Sequence, residues 1–210
     1  MTPPTPTTPT TVADVFGPLD KELLDIHVKR SLFTQLFGTD EARVVLLNRF
    51  APTFFAFVQL IFFDDLVLSL FRVTDPSMMG PWPNLTFGRL ADVVADDDAT
   101  FGASVAAKVK LIDAFRKAHA DWRHKRIAHN HLPATQARWA GGSTLNGPSL
   151  EQVDQVLGCM RRLMKGVAIH YGKGATPYQD ALRPIPGDAS ALVRHLEELA
   201  RLKEVEPGEA

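Results

Sequence analysis

Apolar residues recur at steps of three and four along most of the chain, the spacing that predicts amphipathic α-helices. A first helix is predicted over about residues 18–37, with Gly38 following as a stop signal. The next stretch, from about residue 39 to Val73, is apolar nearly all round, which favours a central buried helix. Pro52 should kink or restart this helix, because proline lacks an amide hydrogen.

Further helices are predicted in the second half of the chain: from Thr86 to about Val94, from Thr100 into the histidine-rich segment, from Ser149 to about Tyr171, and over about 188–203. Thr86 can act as a helix cap, and Ser149 with Gln152 has the spacing of a capping box. No alternating strand pattern is present in the sequence. We therefore expect an all-α protein, an up-and-down bundle of four to five main helices.

Turn-forming residues suggest how the chain is divided. Residues 1–12 are rich in Thr and Pro and are expected to form a disordered tail. Residues 13–172 should form the helical bundle. Residues 173–210 should form a Gly/Pro linker and a C-terminal helix that packs on the bundle or extends from it.

Composition restricts the partners of the protein. The chain has 23 basic and 24 acidic residues, a formal net charge of -1, so any contact with nucleic acid must be a local patch. The one cysteine, Cys159, falls within a helical repeat and is expected to be a buried apolar filler. The Thr/Pro start does not resemble a signal peptide, so a cytoplasmic location is expected.

The apolar run Ala51–Phe63 ends at two acidic residues, Asp64 and Asp65. It is shorter than the roughly 20 residues that a membrane-spanning helix needs, so we expect no membrane contact. The two carboxylates require partners inside an apolar helix. Pairing with an arginine such as Arg72 is expected. A catalytic carboxylate is the alternative, and a role in orienting Arg123 is also open.

Four of the seven histidines lie close together among arginines and lysines: His119, His124, His129 and His131. Histidine transfers protons near neutral pH and arginine binds phosphate, so these residue types suit metal-free phosphodiester chemistry. The spacing of arginine and histidine alone does not decide this. His119 shares the apolar stripe and is expected to be a core residue. The histidine offsets are not typical of zinc sites, and neither a metal nor a cofactor is expected.

Two longer patterns resemble a known family. The string Arg123-His124-Lys125-Arg126-Ile127-Ala128-His129 resembles the extended motif of the HEPN superfamily. Phe71-Arg72-Val73-Thr74-Asp75-Pro76, followed by Asn84-Leu85-Thr86, is similar to the stretch before that motif in the AbiU2-like, abortive-infection branch. The resemblance covers about residues 20–172.

This resemblance implies a HEPN-like helical bundle, a homodimer and a metal-independent endoribonuclease that acts in phage defence or as a toxin with an antitoxin partner. By position, Arg123 and His129 would be the catalytic pair and His124 the polar residue after the arginine. Lys125, Arg126 and His131 are the candidates for binding the RNA substrate. The cleaved RNA would carry 2′,3′-cyclic phosphate ends.

On an ideal α-helix, Arg123 and His129 would point about 120° apart. They would converge only if the helix ends between them or if a partner chain supplies the opposite half of the site. Two other functions fit the sequence. One is a non-catalytic HEPN-fold module that binds nucleotide, RNA or protein; the other is a helical scaffold whose basic segment is a solvated face.

Overall fold

A computed structural model describes residues 10–38, 40–128, 132–133, 136, 147–178 and 186–205. The helices are α1 (Val12–Phe37), α2 (Glu41–Phe50), α3 (Pro52–Thr74), α4 (Phe87–Asp97), α5 (Ala99–Ala118), α6 (Ala120–Trp122), α7 (Leu150–His170) and α8 (Ala189–Val205). A π-helical turn, Arg123–Ala128, follows α6. Two short antiparallel strands, β1 (Met78–Met79) and β2 (Trp82–Pro83), lie between α3 and α4. Helices make up 81% of the described residues, so the predicted all-α class is confirmed.

Helix α1 begins before its predicted start. The Thr11 backbone amide donates a hydrogen bond to Asp14 Oδ2 at 2.9 Å, and the Asp14 amide donates to Thr11 Oγ1 at 3.3 Å. This two-way cap satisfies amide hydrogens that a helix start otherwise leaves unpaired. Pro18 lies inside the helix. The predicted boundary near residue 18 is therefore wrong.

The predicted effect of Pro52 is confirmed. Ala51 leaves the helical conformation, with φ −155° and ψ 72°, and α3 restarts at Pro52. Proline is favoured at the first helical position because the amide hydrogen it lacks would have no partner there. The Asp40 side chain caps α2 by accepting a hydrogen bond of 2.7 Å from the Arg43 amide.

The expectation that α3 is buried is wrong for its first half. Phe54, Phe57 and Ile61 are about 60% exposed, because they lie on a side of the helix that no described residue covers. The helix continues through Asp64 and Asp65 to Thr74, so it is longer than the apolar run itself. By length and composition Pro52–Thr74 could cross a membrane. A single helix of this kind is weak evidence for a membrane protein, because core helices of soluble proteins have the same length and composition.

The described residues fall into two compact units, which α1 and α3 both contribute to. The first unit lies within Met1–Leu24 and Val67–Thr176, and in it α5 packs against α4 and α7. Its fully buried side chains include Leu70, Phe71, Phe87, Ile112 and Met160. The predicted caps Thr86 and Ser149/Gln152 are confirmed, the latter as a complete capping box.

The second unit lies within Asp25–Leu66 and Pro177–Ala210. Its core cluster consists of Leu36, Leu47, Phe55 and Val193, so α8 packs against α2. The sequence-based division at residue 172 stays a prediction. Cys159, expected to be a buried apolar filler, is only partly buried.

Candidate functional site

The motif segment begins where α5 ends. His119 leaves the helical conformation, with φ −115° and ψ 14°, and α6 follows as a short turn. From Arg123 the backbone is π-helical to Ala128. Wide π turns inside α-helices occur often at functional sites. The angle of about 120° between Arg123 and His129 was calculated for an ideal α-helix. It therefore does not apply to a segment that begins with a π turn.

The Arg123 side chain is fixed by two residues from the end of α3. Its Nη2 donates to Asp75 Oδ2 at 3.1 Å, and its Cζ lies 5.6 Å from the centroid of the Phe71 ring. The Asp75 side chain is only 14% exposed, which strengthens the pairing because water screens a buried charge less. The Nε atom of Arg123 is buried and has no hydrogen-bond partner among the described residues.

Asp75 is a candidate site residue that the sequence analysis did not identify. From sequence, Asp75 and Pro76 only predict the opening of a loop. The sequence feature that could have identified Asp75 is its position in the string Phe71–Pro76, which resembles the stretch before the motif in AbiU2-like proteins. The structure gives that string a physical role, since its first and fifth residues both contact Arg123.

Lys125 forms a surface ion pair. Its Nζ lies 2.7 Å from Asp121 Oδ2, and the aspartate side chain is 78% exposed. The hydrogen bond from Lys125 and its charge, together with the nearby His124, hold the pKa of Asp121 below its ordinary value of 3.8, while burial opposes this weakly. Exposed pairs of this kind contribute little stability.

Arg126 lies over the indole ring of Trp122, with Cζ 5.5 Å from the ring centroid. Trp122 is 5% exposed and packs against Gly147. A Cβ atom at Gly147 would lie 2.6 Å from the indole Nε1, so only glycine fits without a shift of the ring. Trp122 therefore supports both Arg126 and the residue that leads into α7.

His124 is exposed and lines a cavity of about 230 Å³ together with Arg123, Arg116, Phe71, Ala120 and Asp121. The structure thus places the two motif residues Arg123 and His124 at one cavity. His129 and His131 lie outside the described residues, so their predicted roles stay predictions.

His119 is buried, as expected of a core residue, and its ring packs against Phe115 at 5.0 Å. It does not line the cavity of Arg123. Its Nδ1 atom has no hydrogen-bond partner among the described residues.

Positive charge is concentrated around the motif. Residues 110–126, together with Asp75, which pairs with Arg123, carry six cations and three carboxylates. The cations are Lys110, Arg116, Lys117, Arg123, Lys125 and Arg126, and the carboxylates are Asp75, Asp113 and Asp121. The whole chain has a net charge of -1. The surplus of positive charge therefore lies in this part of the chain, as binding to a polyanion would require.

Asp65 in α3 has a different partner from the one expected. Asp65 bonds Lys29 at 3.0 Å rather than Arg72, and Lys29 also bonds Asp25 at 3.1 Å. Burial lowers the pKa of Lys29, but the hydrogen bonds that its ammonium donates to Asp65 and Asp25 outweigh this effect and raise the pKa. Among the described residues, no group of three or more His, Cys, Asp or Glu side chains could hold a metal ion.

A model of the HEPN family AbiU2 matches residues 12–192. The chain belongs to the AbiU2 family of HEPN proteins. The match includes Asp75, the π turn and the positions of His129 and His131, and it supports the predicted HEPN-like helical bundle. AbiU2 membership relates the chain to abortive infection. Comparison with curated proteins gave no match, and comparison with solved structures gave none.

Proposed function

We propose that this AbiU2-family protein is a metal-independent endoribonuclease that acts in phage defence or as the toxin of a toxin–antitoxin pair. The observation that carries the proposal is the fixed position of Arg123. Asp75 and Phe71 hold this arginine at the edge of a cavity that His124 also lines. A pre-positioned arginine beside a histidine supplies phosphate binding and proton transfer in one place.

In the proposed reaction, the 2′-hydroxyl of a ribose attacks the adjacent phosphorus atom, and the bond to the 5′-oxygen of the next nucleotide breaks. His129 removes the proton from the 2′-hydroxyl or protonates the leaving oxygen, and His124 can take the other role. Arg123 stabilises the charge that develops on the pentavalent phosphate. The products carry a 2′,3′-cyclic phosphate and a 5′-hydroxyl. DNA, which lacks the 2′-hydroxyl, is not cut.

We further propose that the active protein is a cytoplasmic homodimer with its site at the interface. A second copy would bring its own Arg123 and His129 to the site, so one chain need not orient both side chains alone. Lys125, Arg126 and His131 would contact the RNA backbone next to the cleaved bond.

The deciding experiment incubates the purified protein with single-stranded and structured RNA in excess EDTA. Arg123→Ala and His129→Ala are compared with Arg201→Ala and His195→Ala, which remove the same residue types from exposed positions on α8. Cleavage by the wild type and by both α8 variants, with silent motif variants and cyclic phosphate ends, supports the proposal. If no RNA is cut, or if the motif variants cut normally, the ribonuclease proposal is wrong.

One set of contacts favours a non-catalytic RNA- or protein-binding module as the second candidate. Arg123, Lys125 and Arg126 each contact another side chain of the same chain: Asp75, Asp121 and Trp122 respectively. A basic segment held in this way can serve binding alone. RNA binding that Arg123→Ala weakens, without cleavage by the wild type, would favour this module.

A further inference from the structure

Arg116 connects two cavities in the first unit. The cavity of about 230 Å³ contains Arg123 and His124 as well as Arg116. A second cavity, of about 250 Å³, is lined by Arg116, Lys110 and Asp75 among others. Because Arg116 lines both cavities, and because Asp75 in one is ion-paired with Arg123 in the other, the two cavities meet at these residues.

The second cavity combines an apolar wall with cations. Phe87, Val109 and Ile112 provide the apolar wall, and Lys110 and Arg116 provide positive charge. Each cavity is smaller than the roughly 300–1,000 Å³ of sites for drug-sized ligands, which suits a single nucleotide unit better than a larger molecule. An apolar wall can accommodate a base, and cations can bind the phosphate that links it to its neighbour.

Arg116 retains donors for a phosphate. Its Nε donates to Asp113 Oδ1 at 2.7 Å, and Lys117 Nζ contacts Asp113 Oδ2 at 2.9 Å. A single carboxylate thus faces two cations and cannot neutralise both. A guanidinium has five N–H donors, and among the described residues only the Nε of Arg116 is bonded.

We infer that the two cavities form one groove for two successive nucleotides of single-stranded RNA, and that Arg116 binds the phosphate adjacent to the cleaved one. Arg123 and the motif histidines act at the first cavity, and a neighbouring base occupies the second. This inference rests on the proposed function, because it assigns the RNA path next to the proposed cleavage site.

Lys117→Gln is a matched control for Arg116→Gln. Both residues pair with Asp113, so each variant removes one positive charge and leaves the carboxylate one partner. Lys117 is 71% exposed and lines neither cavity. Thermal unfolding of both variants, followed by circular dichroism, establishes that they fold as the wild type does.

Binding is measured by fluorescence anisotropy with a labelled single-stranded RNA of about ten nucleotides, within the range of single-strand binding sites. Arg116→Gln should raise Kd about tenfold, the effect of losing a charge-assisted hydrogen bond to phosphate, and Lys117→Gln less than about twofold. Equal effects of the two variants, or no binding by the wild type, would overturn the groove.

Cleavage separates the groove from the proposed function. Arg116→Gln should lose about tenfold in kcat/KM on the longer RNA. A dinucleoside monophosphate has only the phosphate that is cleaved, so the loss on this substrate should be clearly smaller. If Arg116→Gln cuts both substrates normally and Arg123→Ala cuts neither, the proposed groove is wrong and the proposed ribonuclease activity stands. If the wild type binds RNA without cutting it and Arg116→Gln binds more weakly, the proposed ribonuclease activity is wrong and the proposed RNA groove is supported.

Discussion

Asp75 and Arg123 are separated by 48 residues, and their side chains form an ion pair of 3.1 Å. The aspartate follows α3 and the arginine begins the π turn, so the pair joins the motif to the end of α3. The aspartate side chain is 14% exposed and the arginine side chain 33%. The orientation of the motif arginine therefore depends on a residue outside the motif.

Replacing Asp75 with asparagine tests this dependence. The change keeps the size of the side chain and removes its charge, so the Arg123 guanidinium loses its ionic partner. We expect the free energy of unfolding to fall by about 1–3 kcal/mol. If the chain is a ribonuclease, kcat should fall between about ten- and a hundredfold, because a misplaced catalytic group loses its alignment. Urea unfolding and RNA cleavage measure the two effects.

The control for this substitution is Asp121→Asn, which breaks the pair with Lys125. Because the Asp121 side chain is 78% exposed, its loss should change the free energy of unfolding much less than Asp75→Asn does. Equal destabilisation by the two substitutions would contradict a special role for the pair of Asp75 and Arg123. Unchanged kcat in Asp75→Asn would contradict the positioning of Arg123 by Asp75.

Two glycines should respond oppositely to alanine. A Cβ atom at Gly102 would meet the backbone and the side chain of Ala95, where α4 and α5 pack closely. Gly102→Ala should therefore destabilise the fold by about 1–3 kcal/mol through overpacking. Gly166 lies in α7, where an added Cβ would meet only the end of the flexible Lys108 side chain, at 3.7 Å. Gly166→Ala should stabilise by about 0.5–1 kcal/mol, because alanine costs less backbone entropy in a helix. If the unfolding temperatures of the two variants change in the same direction, this description of the packing is wrong.

The helix starts at Thr86, Ser149 and Pro52 could be predicted from sequence because each depends on residues at most three positions apart. The pair Thr11/Asp14 carries the same kind of local signal, but the Thr/Pro composition around it favoured a tail. Local chemistry thus fixes most helix boundaries. The family resemblance added Arg123 and His124, which lie at one cavity.

Long-range relationships could not be predicted in this way. Apolar composition indicates that a helix avoids water on average, and it does not say which face is covered, so the exposed side of Phe57 was missed. Asp75 meets Arg123 only once α3 and α5 are packed within the first unit. The π turn has no sequence signal comparable to a proline or a cap.

The acid stability of the protein should depend partly on Asp113. Burial raises the pKa of this carboxyl, but the hydrogen bonds from Lys117 and Arg116 outweigh it and hold the pKa below its ordinary value of 3.8. Below pH 3.8 the unfolded chain takes up the proton first, so this stabilisation is full above that pH and is lost as the pH falls through the folded pKa. The stability difference between the wild type and Asp113→Asn should therefore shrink in acid. Denaturant unfolding over a pH series measures it, and a difference independent of pH would contradict the ion pairs.

Two phenylalanines on α3 test its exposed face. Phe71 is fully buried, and Phe71→Ala should cost about 3–5 kcal/mol, the usual cost of deleting a buried aromatic ring. Phe57 is 60% exposed, so Phe57→Ala should cost less than about 1 kcal/mol, because little apolar surface returns to water. Urea unfolding at two protein concentrations compares the variants. If Phe57→Ala costs as much as Phe71→Ala, and if the cost grows with protein concentration, this face of α3 is covered by another chain in solution.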